Sequence, residues 1–145
     1  MKTMTPLYEL RKNQTNFVKE KIQSPADSAK YIKQFYTDDI EIYESFFLLL
    51  LNNANQTIGY AKISQGGIVS TVVDVRIIAK YVVDSLATGI ILAHNHPSGN
   101  LKPSEADLRL TERVKEAMKL FDVAVLDHLI LTADDYYSFS SNGIL

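Results

Sequence analysis

The sequence predicts an α/β domain in which a mixed β-sheet is flanked by helices. Short apolar runs, typical of buried strands, alternate with segments whose apolar residues recur every three to four positions, typical of amphipathic helices. The predicted element order is β, α, β, β, β, α, β, α, β, and such alternation packs helices onto a sheet. A chain of 145 residues has the size of one domain with a single core.

The N-terminal part is predicted to lead into the domain. We expect residues 1–23 to form an edge strand, Leu7–Arg11, and a polar linker, and residues 24–145 to form the domain itself. Ser24 suits the N-cap of a helix that runs to about Tyr36, with proline at its first position. The apolar face of this helix is expected to consist of Ala29, Ile32, Phe35 and Tyr36.

A hairpin of two strands is predicted next. The unbroken apolar run Phe46–Leu51 predicts a central strand that starts at Glu44 and is buried on both faces. The turn-forming residues Asn52–Asn55 connect it to a second strand, Gln56–Gln65. The residues expected on one face of the second strand are Ile58 and Tyr60, with Lys62 as a further candidate.

A bend and a second helix follow the hairpin. Gly66 and Gly67 permit a tight bend, and Ile68–Val73 is expected to be extended or a further strand. A phosphate-binding loop at these glycines is disfavoured, because no nucleotide-binding pattern surrounds them. Asp74 can cap a helix that runs to about Ala87. Its apolar face is expected to consist of Val75, Ile78, Val82 and Leu86.

The stretch from His94 to Asp107 carries the strongest chemical signal. Gly89–Ala93 predicts a buried strand, so His94 and His96 leave its end on one side, because strand side chains alternate with a period of two. Prolines and glycines then reverse the chain. Ser104 suits the N-cap of the next helix, and Asp107 lies in its first turn, where the carboxylate faces back toward the loop.

Two imidazoles and one carboxylate can therefore converge on one point. Three such ligands leave a tetrahedral zinc ion a fourth position for water, which is typical of catalytic zinc sites. The chain has no cysteine, so any metal must be held by His, Asp or Glu. The alternative is that Ser104 and Asp107 form a helix cap and the histidines decorate a surface loop. The combined spacing favours the metal site.

The C-terminal part is predicted to complete the sheet. Ser104–Phe121 forms the longest amphipathic helix, Val123–Leu131 a strand, and Asp134–Phe139 a closing segment. His128 lies within that strand and is expected to be a packed structural residue, with a supporting role near the metal as the alternative. The apolar face of the long helix is expected to consist of Leu110, Val114, Ala117, Met118 and Phe121.

The segment His94-Asn95-His96-Pro97, six further residues, and then Ser104 and Asp107 resemble the JAMM signature of MPN-domain metalloproteases. The continuation Ser98-Gly99 is similar to the RadC-like branch, whose members read His-Asn-His-Pro-Ser-Gly. The resemblance covers roughly residues 24–145. It implies a cytidine deaminase-like α/β fold and a zinc-dependent hydrolase of peptide or isopeptide bonds, with His94, His96 and Asp107 as zinc ligands.

A zinc-bound water needs a base, and Glu44 and Glu105 are the candidates. Glu44 is favoured because burial of a charged side chain at the start of a buried strand costs free energy unless the side chain takes part in polar interactions. The resemblance implies the same residue, since MPN domains place a glutamate at the head of such a strand. It also implies that Ser104 donates its hydroxyl to the developing oxyanion. The alternative for Glu44 is a solvated acid beside Glu41.

Charge and hydropathy narrow the function classes. The net charge of −2, with acids and bases interspersed, provides no basic surface, which weighs against nucleic acid as the main partner. Longer RadC-like proteins carry a helix-hairpin-helix region before this domain, and we expect none within these 145 residues. The N-terminus lacks a signal-peptide pattern, and the longest apolar run is too short for a membrane span. We expect a cytoplasmic protein that acts on a peptide or protein substrate.

Three other functions stay open. Metal-dependent phosphodiester cleavage is suggested by the DNA-repair association of the RadC name, but normally needs more carboxylates and a basic groove. A non-catalytic MPN scaffold would tend to lose metal ligands, and this chain has them all. Non-haem iron also uses two histidines and one carboxylate, and metal analysis would separate it from zinc. The sequence leaves the substrate and the oligomeric state open.

Overall fold

The computed structural model describes residues 1–67 and 72–145. Within these ranges it contains three helices, α1 (Pro25–Lys33), α2 (Val75–Ser85) and α3 (Glu105–Lys119). It also contains five strands, β1 (Ser45–Leu51), β2 (Thr57–Gln65), β3 (Gly89–Asn95), β4 (Ala124–Leu131) and β5 (Tyr136–Ser138). The order along the chain is α1, β1, β2, α2, β3, α3, β4, β5. None of the helices in these ranges is long and apolar enough to cross a membrane.

The strands form one mixed sheet in the order β2-β1-β3-β4-β5. β1 pairs antiparallel with both β2 and β3, β3 pairs parallel with β4, and β5 pairs antiparallel with β4. The predicted hairpin is confirmed as β1 and β2. β1 is buried along its whole length, as its unbroken apolar sequence predicts. The two strands that carry histidines, β3 and β4, lie side by side.

Helices cover both faces of the sheet, which confirms the predicted fold class. Because strand residues alternate between faces, β1 directs Phe47 toward α1 and Phe46 toward α2 and α3. Ile32 of α1 and Met118 of α3 are both fully buried. His94 lies directly opposite Phe46 in the register of β1 and β3, so it is on the side covered by α2 and α3.

The predicted N-terminal strand Leu7–Arg11 is wrong. Residues 1–20 have no helix or strand, and the side chains of Leu7 and Tyr8 are exposed. An alternating pattern cannot hold a strand in place without a paired neighbour. Residues 68–71 of the predicted extended segment lie outside the described ranges.

All three helices end earlier than predicted. Leu86 takes a left-handed conformation, with φ 58°, as the C-cap of α2, and it is 82% exposed. Phe121 follows the end of α3 and is 46% exposed. Both were expected in the core, and the expectation is wrong because the helical period stops before each of them.

A β-bulge separates Ile58 from Tyr60. The register of β2 against β1 shifts between Leu50 and Leu51, which leaves Ile58 as the extra residue. Ile58 packs on the side of α2 and α3, whereas Tyr60 packs on the side of α1. The prediction that they share a face is therefore wrong.

Candidate metal centre

His94 and His96 are presented by the end of β3. The whole of β3 is buried, and His96 continues its pairing with β4, because the His96 amide donates to the carbonyl of Leu131 at 3.0 Å. The ring of His94 stacks on that of Phe46, with centroids 5.9 Å apart. The Nε2 atoms of the two histidines lie 3.0 Å apart. The two imidazoles converge as their spacing predicts.

Asp107 is brought to the histidines by the N-terminus of α3. Ser104 Oγ accepts a hydrogen bond from the Asp107 amide at 3.0 Å, and Asp107 Oδ2 accepts one from the Ser104 amide at 2.9 Å, which forms a capping box. The same carboxylate places Oδ1 3.3 Å from His94 Nε2 and Oδ2 3.5 Å from His96 Nε2. The cap therefore orients the carboxylate toward both imidazoles.

These separations fit the donor set of a tetrahedral zinc ion. Atoms about 2.0 to 2.2 Å from such an ion lie about 3.3 to 3.6 Å from one another. The separations among His94, His96 and Asp107 are 3.0, 3.3 and 3.5 Å, close to that range. Imidazole nitrogen and carboxylate oxygen are also the donors that zinc takes in proteins without cysteine ligands.

Glu44 lies immediately before β1 and is 9% exposed. Its Oε1 is 3.9 Å from His96 Nε2, which is farther than the Asp107 carboxylate. Ligand atoms of Glu44, His94 and His96 all lie within 4.8 Å of one another, so these three residues could hold a metal ion. Glu44 is therefore close enough to be a ligand or a base.

Asn95, between the two histidines in sequence, holds the backbone around Glu44. Its Nδ2 donates to the carbonyls of Tyr43 at 2.8 Å and Ile40 at 2.6 Å, and its Oδ1 accepts from the Ser45 amide at 2.8 Å. Asn95 is fully buried. This role was not predicted from the sequence, although a side-chain amide at the end of a buried apolar strand must find hydrogen-bond partners.

The electrostatics of the site favour a bound cation. Burial raises the pKa of Asp107, but the adjacent imidazoles of His94 and His96 and the hydrogen bond from the Ser104 amide hold it well below its usual value. The hydrogen bond to Asp107 raises the pKa of His96 against the opposing effect of burial, with smaller contributions from Asn100 and Glu44. A proton on His96 and a metal ion therefore compete for the same place.

The second nitrogen of each of these histidines is also hydrogen-bonded. His96 Nδ1 lies 2.6 Å from the backbone carbonyl of Asn100. Because a carbonyl only accepts, Nδ1 carries the hydrogen, and the neutral ring directs the lone pair of Nε2 toward Asp107. His94 Nδ1 lies 2.8 Å from Nε2 of His128.

His128 is both packed in the core and hydrogen-bonded to His94. Its ring stacks on Phe139 with centroids 4.5 Å apart, and its Nδ1 lies 2.6 Å from Thr111 Oγ1. Burial, with a smaller effect of His94, lowers the pKa of His128 well below its usual value, so this ring stays neutral near pH 7. Thr111, a buried polar residue inside the amphipathic helix α3, was not predicted from the sequence.

The other two predicted site residues lie at the start of α3. The Oγ of Ser104 accepts a hydrogen bond from the Asp107 amide, which leaves the hydroxyl hydrogen available to a further acceptor. Glu105, the alternative base, is exposed. It is not part of the cluster of Glu44, His94 and His96 that could hold a metal ion.

Comparison with known proteins shows the family. A sequence model of the RadC-like JAB domain matches residues 22–144. This chain belongs to the RadC-like JAB domain family. A UPF0758 protein of Flavobacterium johnsoniae is 51% identical over 102 residues, which cover 70% of this chain and 44% of that relative. A UPF0758 protein of Porphyromonas gingivalis is 41% identical over 128 residues, 88% of this chain and 56% of that relative.

UPF0758 protein YfjY of Escherichia coli is 43% identical over 102 residues, which cover 70% of this chain and 64% of that relative. The chain spans about half the length of these curated relatives. Their names give a family designation and state no reaction. The family expected from the stretch His94 to Asp107 is therefore confirmed.

Proposed function

We propose that this protein is a zinc-dependent hydrolase that cleaves a peptide or isopeptide bond. The observation that carries the proposal is the convergence of His94, His96 and Asp107 at separations suited to a tetrahedral ion, with Glu44 beside them. Membership of the RadC-like JAB family supports it. The substrate would be a peptide or a protein.

His94, His96 and Asp107 would hold the zinc ion. When bound, zinc lowers the pKa of its water toward 7 and polarises the substrate carbonyl. The chain supplies two imidazoles and a carboxylate whose low pKa keeps it ionised at neutral pH. The backbone carbonyl of Asn100 and the ring of His128 hold the second nitrogens of the two imidazoles. Such partners fix the orientation of ligand histidines.

Glu44 would accept a proton during attack on the carbonyl and donate it to the leaving amine. Its carboxylate lies beside the three donors but farther from His96 than Asp107 does, which suits a base next to the ligand set. The hydrogen bonds of Asn95 to the Tyr43 carbonyl and the Ser45 amide restrain the backbone on both sides of Glu44.

Ser104 would donate its hydroxyl hydrogen to the substrate oxygen that gains negative charge. Its Oγ is already fixed by the hydrogen bond that it accepts from the Asp107 amide at 3.0 Å. It also stands at the N-terminus of the 15-residue helix α3, where the helix dipole favours negative charge. Both features prepare this position for an oxyanion.

Parallel substitution of Glu44 and Asp107 tests the assignment of base and ligand. We expect Glu44→Gln to retain zinc and to lose at least about a hundredfold in cleavage, because only the base is removed. Asp107→Asn should weaken zinc binding itself. Elemental analysis gives the zinc content, and mass spectrometry of a library of linear and isopeptide-linked peptides gives the cleavage.

Glu41→Gln is the matched control, since it removes an exposed acid near Glu44 in sequence and should change neither quantity. Loss of zinc from Glu44→Gln would make Glu44 a ligand and overturn its role as base. Normal cleavage by Glu44→Gln would exclude it as the base, and Glu105→Gln would then be measured.

A further inference from the structure

We propose that Thr111 and His128 are positioning residues that fix the tautomer of His94, so that the lone pair of His94 Nε2 faces the metal site. The inference rests on the proposed metal site. Three contacts connect these residues in series: His94 Nδ1 to His128 Nε2 at 2.8 Å, His128 Nδ1 to Thr111 Oγ1 at 2.6 Å, and Thr111 Oγ1 to the Asp107 carbonyl at 2.8 Å.

The direction of hydrogen donation along these three contacts is determined at Thr111. The hydroxyl of Thr111 has one hydrogen, and the carbonyl of Asp107 can only accept. Donation from Thr111 to that carbonyl is a bond that threonine commonly makes to the residue four positions earlier in a helix. The hydroxyl oxygen must then accept the remaining bond, so Nδ1 of His128 carries the hydrogen.

The position of the hydrogen on His128 determines its position on His94. With its hydrogen on Nδ1, the neutral ring of His128 has a lone pair on Nε2, which accepts from His94 Nδ1. His94 therefore carries its hydrogen on Nδ1 and has its lone pair on Nε2, the atom 3.3 Å from Asp107 Oδ1 and 3.0 Å from His96 Nε2. This is the tautomer that can bind a metal ion.

The reverse direction leaves one contact without a hydrogen. If Thr111 donated to His128, its oxygen would face the Asp107 carbonyl at 2.8 Å with lone pairs on both atoms. His94 would then carry its hydrogen on Nε2 and donate it to Asp107, which closes the site to a metal. The Asp107 carbonyl therefore favours the metal-binding direction. In that direction the lone pairs of His94 Nε2, His96 Nε2 and the Asp107 carboxylate face one another at 3.0, 3.3 and 3.5 Å, an arrangement that a cation bound between them stabilises.

Burial keeps water from replacing these hydrogen-bond partners. His128 is 0% exposed and Thr111 is 3% exposed, so neither has ready access to water as an alternative partner. Phe139 stacks on His128, and Phe46 stacks on His94, which holds both rings in plane.

Thr111→Val keeps the shape of the side chain and removes its hydroxyl, so it tests the direction of the chain. We expect zinc binding to weaken about 10- to 100-fold, the range found when such supporting partners are removed. Thr111→Ser restores the hydroxyl and should recover most of the wild-type affinity.

Thr57→Val is the matched control. Thr57 is another buried threonine, and its hydroxyl forms hydrogen bonds with the Glu20 amide and the Tyr31 hydroxyl. It should leave the zinc affinity unchanged. Affinity is measured by competition with a chromogenic chelator.

Long-range ¹H–¹⁵N correlation spectra of the histidine rings provide a measurement that needs no variant. At pH 8, we expect His128 and His94 to carry their hydrogens on Nδ1, both without zinc and with it. Wild-type zinc affinity in Thr111→Val, or a hydrogen on Nε2 of His128, would overturn the inference. Failure of the wild-type protein to bind zinc would instead overturn the proposed function, since the tautomers of the metal-free protein are observed independently.

Discussion

Asn95 hydrogen-bonds the backbone on both sides of Glu44. Its Nδ2 donates to the Tyr43 carbonyl and its Oδ1 accepts from the Ser45 amide, each at 2.8 Å. One residue of β3 therefore connects the two imidazoles to the segment that carries the proposed base. The position of Glu44 depends on a side chain from a strand about 50 residues later in the chain.

We predict that Asn95→Ala lowers the free energy of unfolding by about 1 to 3 kcal/mol, because it leaves buried backbone groups without their partners. The same change should lower peptide cleavage more than zinc affinity, since it releases the segment around Glu44 and leaves the three proposed ligands in place. Denaturant unfolding and chelator competition measure the two quantities. Asn52→Ala is the control, because Asn52 also accepts two amide hydrogen bonds but lies in the surface turn of the hairpin. A zinc affinity that falls as far as cleavage would contradict this role.

Local features of the sequence were sufficient to predict most of the fold and the approach of Asp107. The capping box of Ser104 and Asp107 depends on residues three positions apart, so its geometry is local. The burial of β1 on both faces follows from its own composition. The convergence of His94 and His96 follows from strand alternation, which is also a local property.

The parts that were missed depend on contacts between distant segments. The approach of His128 to His94 requires the parallel register of β4 against β3, and no periodicity in either strand specifies a register. The burial of Thr111 depends on the packing of α3 against β4, where its hydroxyl contacts His128. The bulge at Ile58 is set by pairing with β1. Simple alternation along β2 therefore places Ile58 on the same face as Tyr60, which is wrong.

The stability of the metal-free protein should pass through a maximum near pH 6.5. The lowered pKa of His128 means that its contribution is complete above the unfolded value near 6.5 and is lost as the pH falls below it. The raised pKa of His96 means that its contribution is complete below that value and is lost as the pH rises through the folded pKa. Each slope is at most about 1.4 kcal/mol per pH unit.

Denaturant unfolding between pH 5 and 9 with a chelator present measures this profile. His128→Gln should flatten the acidic side, and His96→Gln should flatten the alkaline side. If the free energy of unfolding of His128→Gln still falls as steeply below pH 6.5, another group is responsible for that pH dependence.

Zinc should stabilise the folded protein, because the ligands come together only in the folded state. At a free zinc concentration 100 times the dissociation constant, the gain is about 2.7 kcal/mol, which raises the Tm by several degrees. Thermal unfolding with zinc and with EDTA measures the difference. His94→Ala should melt at the same temperature in both, and a zinc-dependent shift that survives in this variant would place the ion elsewhere.

We predict weak binding to double-stranded DNA at physiological salt, since a net charge of −2 provides little attraction to phosphates. Fluorescence anisotropy with a short labelled duplex tests this prediction. Affinity should be low at 150 mM salt and should fall further as salt increases. Tight binding that persists at 200 mM salt would favour phosphodiester cleavage over peptide hydrolysis.

The most direct measurement of the central claim is the zinc content of the purified protein and of His94→Ala and His96→Ala, determined by elemental analysis after dialysis against a metal-buffered solution. The proposed centre predicts one zinc ion per wild-type chain and a large loss in each variant, because each imidazole supplies one of only three protein ligands. A zinc content that neither substitution changes would contradict the site.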